Sequence, residues 1–318
     1  MAMFVSYNLE GFGQELRRIR KNLGFSQAEV QQKVGVSVDT IRKIESGRVI
    51  PRYDTLELLS VAYKQDLLEL LKNSRSNKFL MEYHDDLDYV IARYDKDTAA
   101  QLKEKLQDNF NANFRLTMVN PDELKQFITF VDAIDSYYSG AVIDASKPKQ
   151  ELIEALRLTI PDYNLESFDK YNYTYIEFRI LLLLSLFIAR EKDFAFSNRI
   201  LYHILDKISD KNYNTKYVDF LIGNIYFNLA YNYHMLDDQA KVIEVADKGI
   251  DFCLEKRTTH VLHSLYYRKG IAQYHLGDPD YMESLTIAFY LLKSVKFPQL
   301  LEEYKKITRE KYGIIINI

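Results

Sequence analysis

No stretch constrains this chain more than residues 26–47, SQAEVQQKVGVSVDTIRKIESG. Ser26 followed three positions later by Glu29 has the spacing of a capping box, in which hydroxyl and carboxylate satisfy backbone N–H groups that a helix start leaves unpaired. A helix is expected from there to about Val34. Gly35 supplies a left-handed turn, Ser37 is placed to cap a further helix over Val38–Ser46, and Gly47 ends it. Two helices this short cannot bury their apolar residues alone, so the flanking chain must complete a core around them.

The flanks have the required pattern. Phe12, Leu16, Ile19 and Leu23 recur at helical spacing, with Arg17, Arg18 and Lys21 on the opposite face and Gly24 as terminator. Pro51 and Asp54 open a fourth helix carrying Leu56, Leu59 and Val61, and a short fifth follows at Leu67–Leu71. Through LRRIRKNLGFSQAEV, GVSVDTIRKIESG and RVIPRYDTLELL, residues 12–71 resemble the five-helix helix-turn-helix of lambda-type repressors and the wider Xre group. That resemblance implies a third helix in the major groove, with the second crossing the backbone. It further implies phosphate contacts from Gln27 and Ser37, base contacts from Val38, Asp39, Thr40 and Lys43, and either role for Arg42. Arg48 and Arg52 resemble loop cations that hold the flanking backbone, and Arg20 with Glu45 matches a structural ion pair between the first and third helices. Val38 and Asp39 stand where amides are often found, and a carboxylate accepts from cytosine N4 but is repelled by phosphate.

Beyond the head the chain is rich in aromatics (Tyr 25, Phe 18) and poor in turn formers (Gly 11, Pro 6), which favours an all-α body. Residues 1–72 carry 11 Lys/Arg against 9 Asp/Glu, the remainder 31 against 36. The polar run KNSRSNK reads as a linker, giving expected domains of 1–72 for the head, 73–80 for the linker and 81–318 for the body. Helical segments are expected at Met81–Tyr94, Asp97–Phe110 and Pro121–Tyr138. The apolar run Ile180–Ala189 is too short for a bilayer, which needs about 20 residues. With the lone Cys253 and no signal-peptide pattern, it suggests a cytosolic protein without a membrane partner.

From Tyr173 onward, residues 225–238 (IYFNLAYNYHMLDD) repeat forty positions later as 265–278 (LYYRKGIAQYHLGD), with Asp193 near one further period upstream. Small residues at Ala230, Gly270 and Ser185 resemble those of tetratricopeptide repeats, which stack as helical hairpins into an α-solenoid with a concave face. Glu302–Tyr312 is expected to cap the array. Taking the small residue as register mark, Asn224, Phe227, Asn228, Tyr231 and His234 share one helix face, an amide-and-aromatic stripe suited to an extended peptide. Equivalent positions are Ser264, Tyr267, Arg268, Ile271 and Tyr274 in the next repeat and Arg179, Leu182, Leu183 and Leu186 in the preceding one. Arg179 and Arg268 are candidates to grip a carboxylate.

A head of this kind followed by this array, with the stretch KQELIEALRLTIPDY, resembles the RRNPP family of peptide-sensing regulators, the Rgg/PlcR/PrgX group. The resemblance implies a cytosolic quorum-sensing transcription regulator that binds double-stranded promoter DNA as a homodimer and a short signalling peptide in the groove of its repeats. The alternative is a repeat protein that binds or sequesters a protein partner without a peptide pheromone. Enzyme readings are disfavoured and no cofactor is expected: Gly11-Phe12-Gly13 lacks the third glycine of a dinucleotide loop, and P-loop and HExxH patterns are missing. His260 and His263 read as packing or surface histidines and Cys253 as inert core.

Overall fold

A computed structural model describes residues 9–74, 78–93, 100–106, 108, 121–139, 146–209, 215–295 and 298–316; these are helical or in short connections, with no strand among them. Residues pack into two compact units, Met1–Asp86 with Lys105–Asn120, and Leu87–Glu104 with Pro121–Ile318.

The first unit opens with α1 (Leu9–Asn22), α2 (Gln27–Val34), α3 (Val38–Glu45), α4 (Tyr53–Tyr63) and α5 (Leu67–Asn73). The expected caps form: the Ser26 hydroxyl accepts from the Glu29 N–H at 3.2 Å while the Glu29 carboxylate accepts from the Ser26 N–H at 2.7 Å. Gly35 ends α2 at φ 73°, and the Ser37 hydroxyl caps α3 by accepting from the Thr40 N–H. Phe12, Leu16, Val30, Ile41, Ile44, Leu56, Leu59 and Leu67 make one core.

Two expected core positions lie outside it. Leu23 is past the last turn of α1 and exposed, and Val61 is 74% exposed because α4 turns Ala62 and Tyr63 inward instead.

The crossing of α1 and α3 is set by Gly13. A methyl group there would lie 2.5 Å from the Ile44 carbonyl oxygen and 2.6 Å from that of Glu45, inside van der Waals contact with backbone that cannot step aside. Across the same crossing Arg20 forks onto Glu45, Nε to Oε1 at 2.6 Å and the second nitrogen to Oε2 at 2.9 Å, both side chains buried. Breaking a buried pair from one side costs about 3–5 kcal/mol.

α6 (Lys78–Arg93) begins inside the polar stretch expected to be a linker, and residues 100–106 form α7. The rest of the segment expected over Asp97–Phe110 lies mostly outside the described residues. The second unit continues with α8 (Pro121–Ser139), α9 (Ser146–Arg157), a 3-10 turn (Leu165–Lys170), α10 (Tyr175–Arg190) and α11 (Phe194–Ser209). It ends with α12 (Thr215–Met235), α13 (Gln239–Lys256), α14 (Leu262–Leu276), α15 (Tyr281–Ser294) and α16 (Pro298–Tyr312). Consecutive helices pair as antiparallel hairpins, and α8, α10, α12 and α14 also neighbour one another, forming the inner layer of an α-solenoid. The repeat therefore starts one hairpin earlier than the sequence register showed.

The small residues act as expected. Ser185 and Ala230 are fully buried, and a methyl on Gly270 would sit 2.8 Å from Leu285 Cγ on α15.

Gly13→Ala is expected to destabilise the first unit by about 1–3 kcal/mol through overpacking against backbone. Gln14→Ala, one residue on and exposed, should change little. Thermal unfolding followed by circular dichroism compares them, and equal midpoints would contradict the close crossing.

Candidate functional site

Helix α3 presents its polar face to solvent. Asp39, Arg42 and Lys43 are exposed, and the Asp39 carboxylate bridges both cations, reaching Lys43 Nζ at 2.6 Å and the Arg42 guanidinium. The bond from Lys43, aided by Arg42, holds the Asp39 carboxyl below the usual range. Ser37 and Thr40 share a hydroxyl hydrogen bond at 2.8 Å beside the helix start, and half-buried Val38 donates its backbone N–H to Gln31 Oε1. Arg48 and Arg52 are both exposed beyond the helix end.

Two recesses flank α3. One is lined by Arg17, Gln27, Arg42 and Ser46, the other by Thr40, Lys43, Arg52 and Thr55. The structure thus gathers the expected interface around one helix. Gln27 has a second task, donating to Glu45 Oε2 at 2.9 Å and so tying α2 to the buried ion pair. Arg17, outside the expected set, lines the same recess; its place on the outer face of α1 was legible in the sequence, its proximity to Arg42 and Gln27 was not.

In the second unit Arg179, Asn224, Phe227 and Asn228 line a single, mainly apolar recess on the inner helices, together with Leu182, Leu183 and Leu186 of α10. Phe130, Ile134, Tyr137 and Tyr138 of α8, with Phe220 of α12 and Ile91 of α6, complete the wall. These last were missed because the repeat register began at Tyr173; the paired tyrosines on α8 were the one available signal.

Asn228 donates one amide N–H to the Asn224 carbonyl at 2.7 Å, and Asn224 donates to the Phe220 carbonyl at 2.9 Å. Each amide is thereby held in orientation, with its carbonyl oxygen left without a hydrogen-bond partner from its own helix. Arg179 differs from the expectation of a free carboxylate grip. It is buried, ion-paired with Asp88 at 2.6 Å, and its guanidinium lies 5.1 Å from the Phe130 ring.

Farther along the inner layer, the guanidinium of Arg268 on α14 lies 4.9 Å from the centroid of the Tyr231 ring on α12, and no acidic partner of Arg268 is found among the described residues. Burial first, then the Arg268 charge, pushes the neighbouring His234 down to about 4. Tyr267 is not brought into the recess. It is 5% exposed, its hydroxyl is 3.0 Å from Thr308 Oγ1, and its ring packs 4.5 Å from Tyr304. The cause is α16, which also bonds Ser264 through Tyr304 and Tyr274 through the Tyr312 carbonyl, and so covers that face of α14.

Behind the recess wall, His260 stacks on Phe220 at 4.2 Å, its Nε2 3.1 Å from the Phe220 carbonyl and its Nδ1 2.9 Å from Thr258 Oγ1. It positions two lining residues, since Nε2 is also 3.4 Å from the Asn224 amide. Burial pushes His260 and His263 down to about 4 and the Cys253 thiol up to about 11. No group of three or more His, Cys, Asp or Glu among the described residues is arranged to hold a metal ion, and no described helix is long and apolar enough to cross a membrane.

The fold and the first site define a class, a helix-turn-helix head on a helical-repeat body: a helix-turn-helix family, HTH_3, matches residues 16–70. Solved structures that share the whole architecture include complexes with both DNA and a peptide. PlcR of Bacillus thuringiensis, in complex with the peptide PapR7 and DNA, superposes with a TM-score of 0.67 over 92% of this chain and 99% of its own at 15% identity. ComR from S. thermophilus, in complex with DNA and its signalling peptide ComS, gives 0.59 over 95% and 100% at 13% identity. The SHP pheromone receptor Rgg2 of Streptococcus dysgalactiae gives 0.58 over 94% and 99% at 15% identity. At these identities the likeness is one of fold. No curated protein matches the chain by sequence.

A pH dependence follows from the buried histidines. In the unfolded chain they protonate near the ordinary histidine value of 6.5, whereas in the fold they stay neutral to about 4. The unfolded state binds more protons in that window, so stability is full above about pH 6.5 and falls toward pH 4. His263→Phe is expected to remove about one proton, about 1.4 kcal/mol per pH unit, from the slope near pH 5. Urea unfolding across pH checks this; an unchanged slope would show that His263 titrates normally in the fold.

Proposed function

We propose that the chain is a cytosolic transcription regulator that binds promoter DNA through α3 and responds to a short signalling peptide held in the inner recess of its repeats. The observation that carries the reading is the recess itself, where apolar walls from α8, α10 and α12 meet two oriented asparagine amides. An asparagine offers donor and acceptor to an extended peptide backbone, and the aromatic and leucine walls take its side chains. An interior so apolar, with its one arginine already neutralised by Asp88, suits a hydrophobic, uncharged peptide segment. Arg268, over Tyr231, suits a carboxylate at the far end. Helix-turn-helix heads read paired half-sites, so the DNA-binding form is a homodimer. PlcR and ComR, whose fold it shares, bind both DNA and a peptide.

A pool of synthetic hydrophobic penta- to decapeptides is expected to contain members that raise the thermal midpoint of the full-length protein. Asn228→Ala should weaken the best binder about tenfold, the equivalent of about 1.4 kcal/mol, with unchanged unfolding in its absence. Equal affinity in the variant would remove the recess as the site. Failure of any peptide to bind, with capture of a defined protein partner instead, would favour the sequestering alternative.

A further inference from the structure

We infer that Asp39 and Arg42 act as one unit that reads a C·G base pair in each half-site, with Asp39 the residue that sets the preference. The inference rests on the DNA-binding reading above and goes on to name a base. Asp39 lies in the first turn of α3, half exposed, on the face that Lys43 and Arg42 share.

An acidic residue on that face has no use for phosphate, which it repels, so any direct contact it makes with DNA is to a base edge that donates. Two donors exist in the major groove, cytosine N4 and adenine N6. Adenine places the N7 acceptor beside its amino group, facing a carboxylate that cannot donate. Cytosine places only C–H there. The acceptor-only carboxylate therefore selects cytosine.

Its ion pairs do not use it up. Each carboxylate oxygen has more than one lone-pair direction, and here one oxygen is engaged by Arg42 and the other by Lys43. The pair with Arg42, made through one terminal nitrogen, places a planar guanidinium beside the carboxylate with its other N–H groups unspent. A fork of such donors matches O6 and N7 of guanine, the partner of the selected cytosine. Meanwhile the two bridges mask both cations in the free protein, which lowers attraction to DNA of arbitrary sequence.

The test is selection from a random double-stranded oligonucleotide library by the full-length protein and by Asp39→Ala and Asp39→Asn. The unaltered protein is expected to enrich sites with one C·G pair at a fixed position in each half-site. Asp39→Ala should lose discrimination at that position by about 5- to 100-fold, keep the other positions, and bind random DNA more tightly. Asp39→Asn should shift the preference there toward adenine, because an amide pairs with its N6 and N7. Enrichment of the same sequence by all three proteins would overturn the inference and leave the DNA-binding reading intact. No enrichment by the unaltered protein, either alone or with the best-binding peptide of the synthetic pool, would overturn both.

Discussion

The buried fork of Arg20 onto Glu45, bridging α1 and α3 where Gly13 lets their backbones meet, is the interaction on which the presentation of α3 depends. Helix α3 has only eight residues, too few to be stable by propensity alone. Its position is imposed from outside: Ile41 and Ile44 anchor one face in the core, Glu45 locks the last turn to α1, and Gln27 adds a tie from α2. What remains free is the opposite face, with Asp39, Arg42 and Lys43. The buried pair contributes geometry more than net stability, since its desolvation offsets much of its attraction.

The second unit solves a different problem with the same means. Each hairpin leaves an apolar face that only a neighbour can cover, and small residues at Ser185, Ala230 and Gly270 let that neighbour come close. Stacking covers the faces between hairpins but leaves the inner surface of α8, α10 and α12 unfilled, and the recess forms there. Near it the polar groups are already tied: Arg179 to Asp88, Asn224 and Asn228 to their own helix, His260 behind Phe220. Side chains held in this way need little reordering when a ligand arrives, which favours affinity. At the other end α16 lies over α14 and withdraws Tyr267 from that surface.

Much of this was legible in the residues, and the division is physical. Local signals were read well: Ser26 with Glu29, Gly35 and Ser37 specify caps and a turn through chemistry confined to a few residues. The small-residue marks at Ala230 and Gly270 placed the hairpins, and through them the stripe that puts Asn224, Phe227 and Asn228 in one recess. Long-range facts were not legible. That Gly13 is needed depends on where the carbonyls of α3 lie; that Arg179 is spoken for depends on Asp88, 91 residues away. Tyr267 was assigned by register alone, and a capping helix crossing a face leaves no periodic trace in the sequence. Val61 shows the same limit on a smaller scale, since α4 offers two apolar faces and only packing chooses between them.

If the chain works as proposed, occupancy of the recess and binding of DNA by α3 are thermodynamically linked. Titration of the full-length protein with its selected DNA, with and without a saturating peptide taken from the synthetic pool, measures that linkage directly. The expected result is a change in DNA affinity of at least about fivefold, equivalent to about 1 kcal/mol, matched by an equal change in peptide affinity when DNA is bound. Two ligands that each bind while leaving the other's affinity unchanged would contradict it.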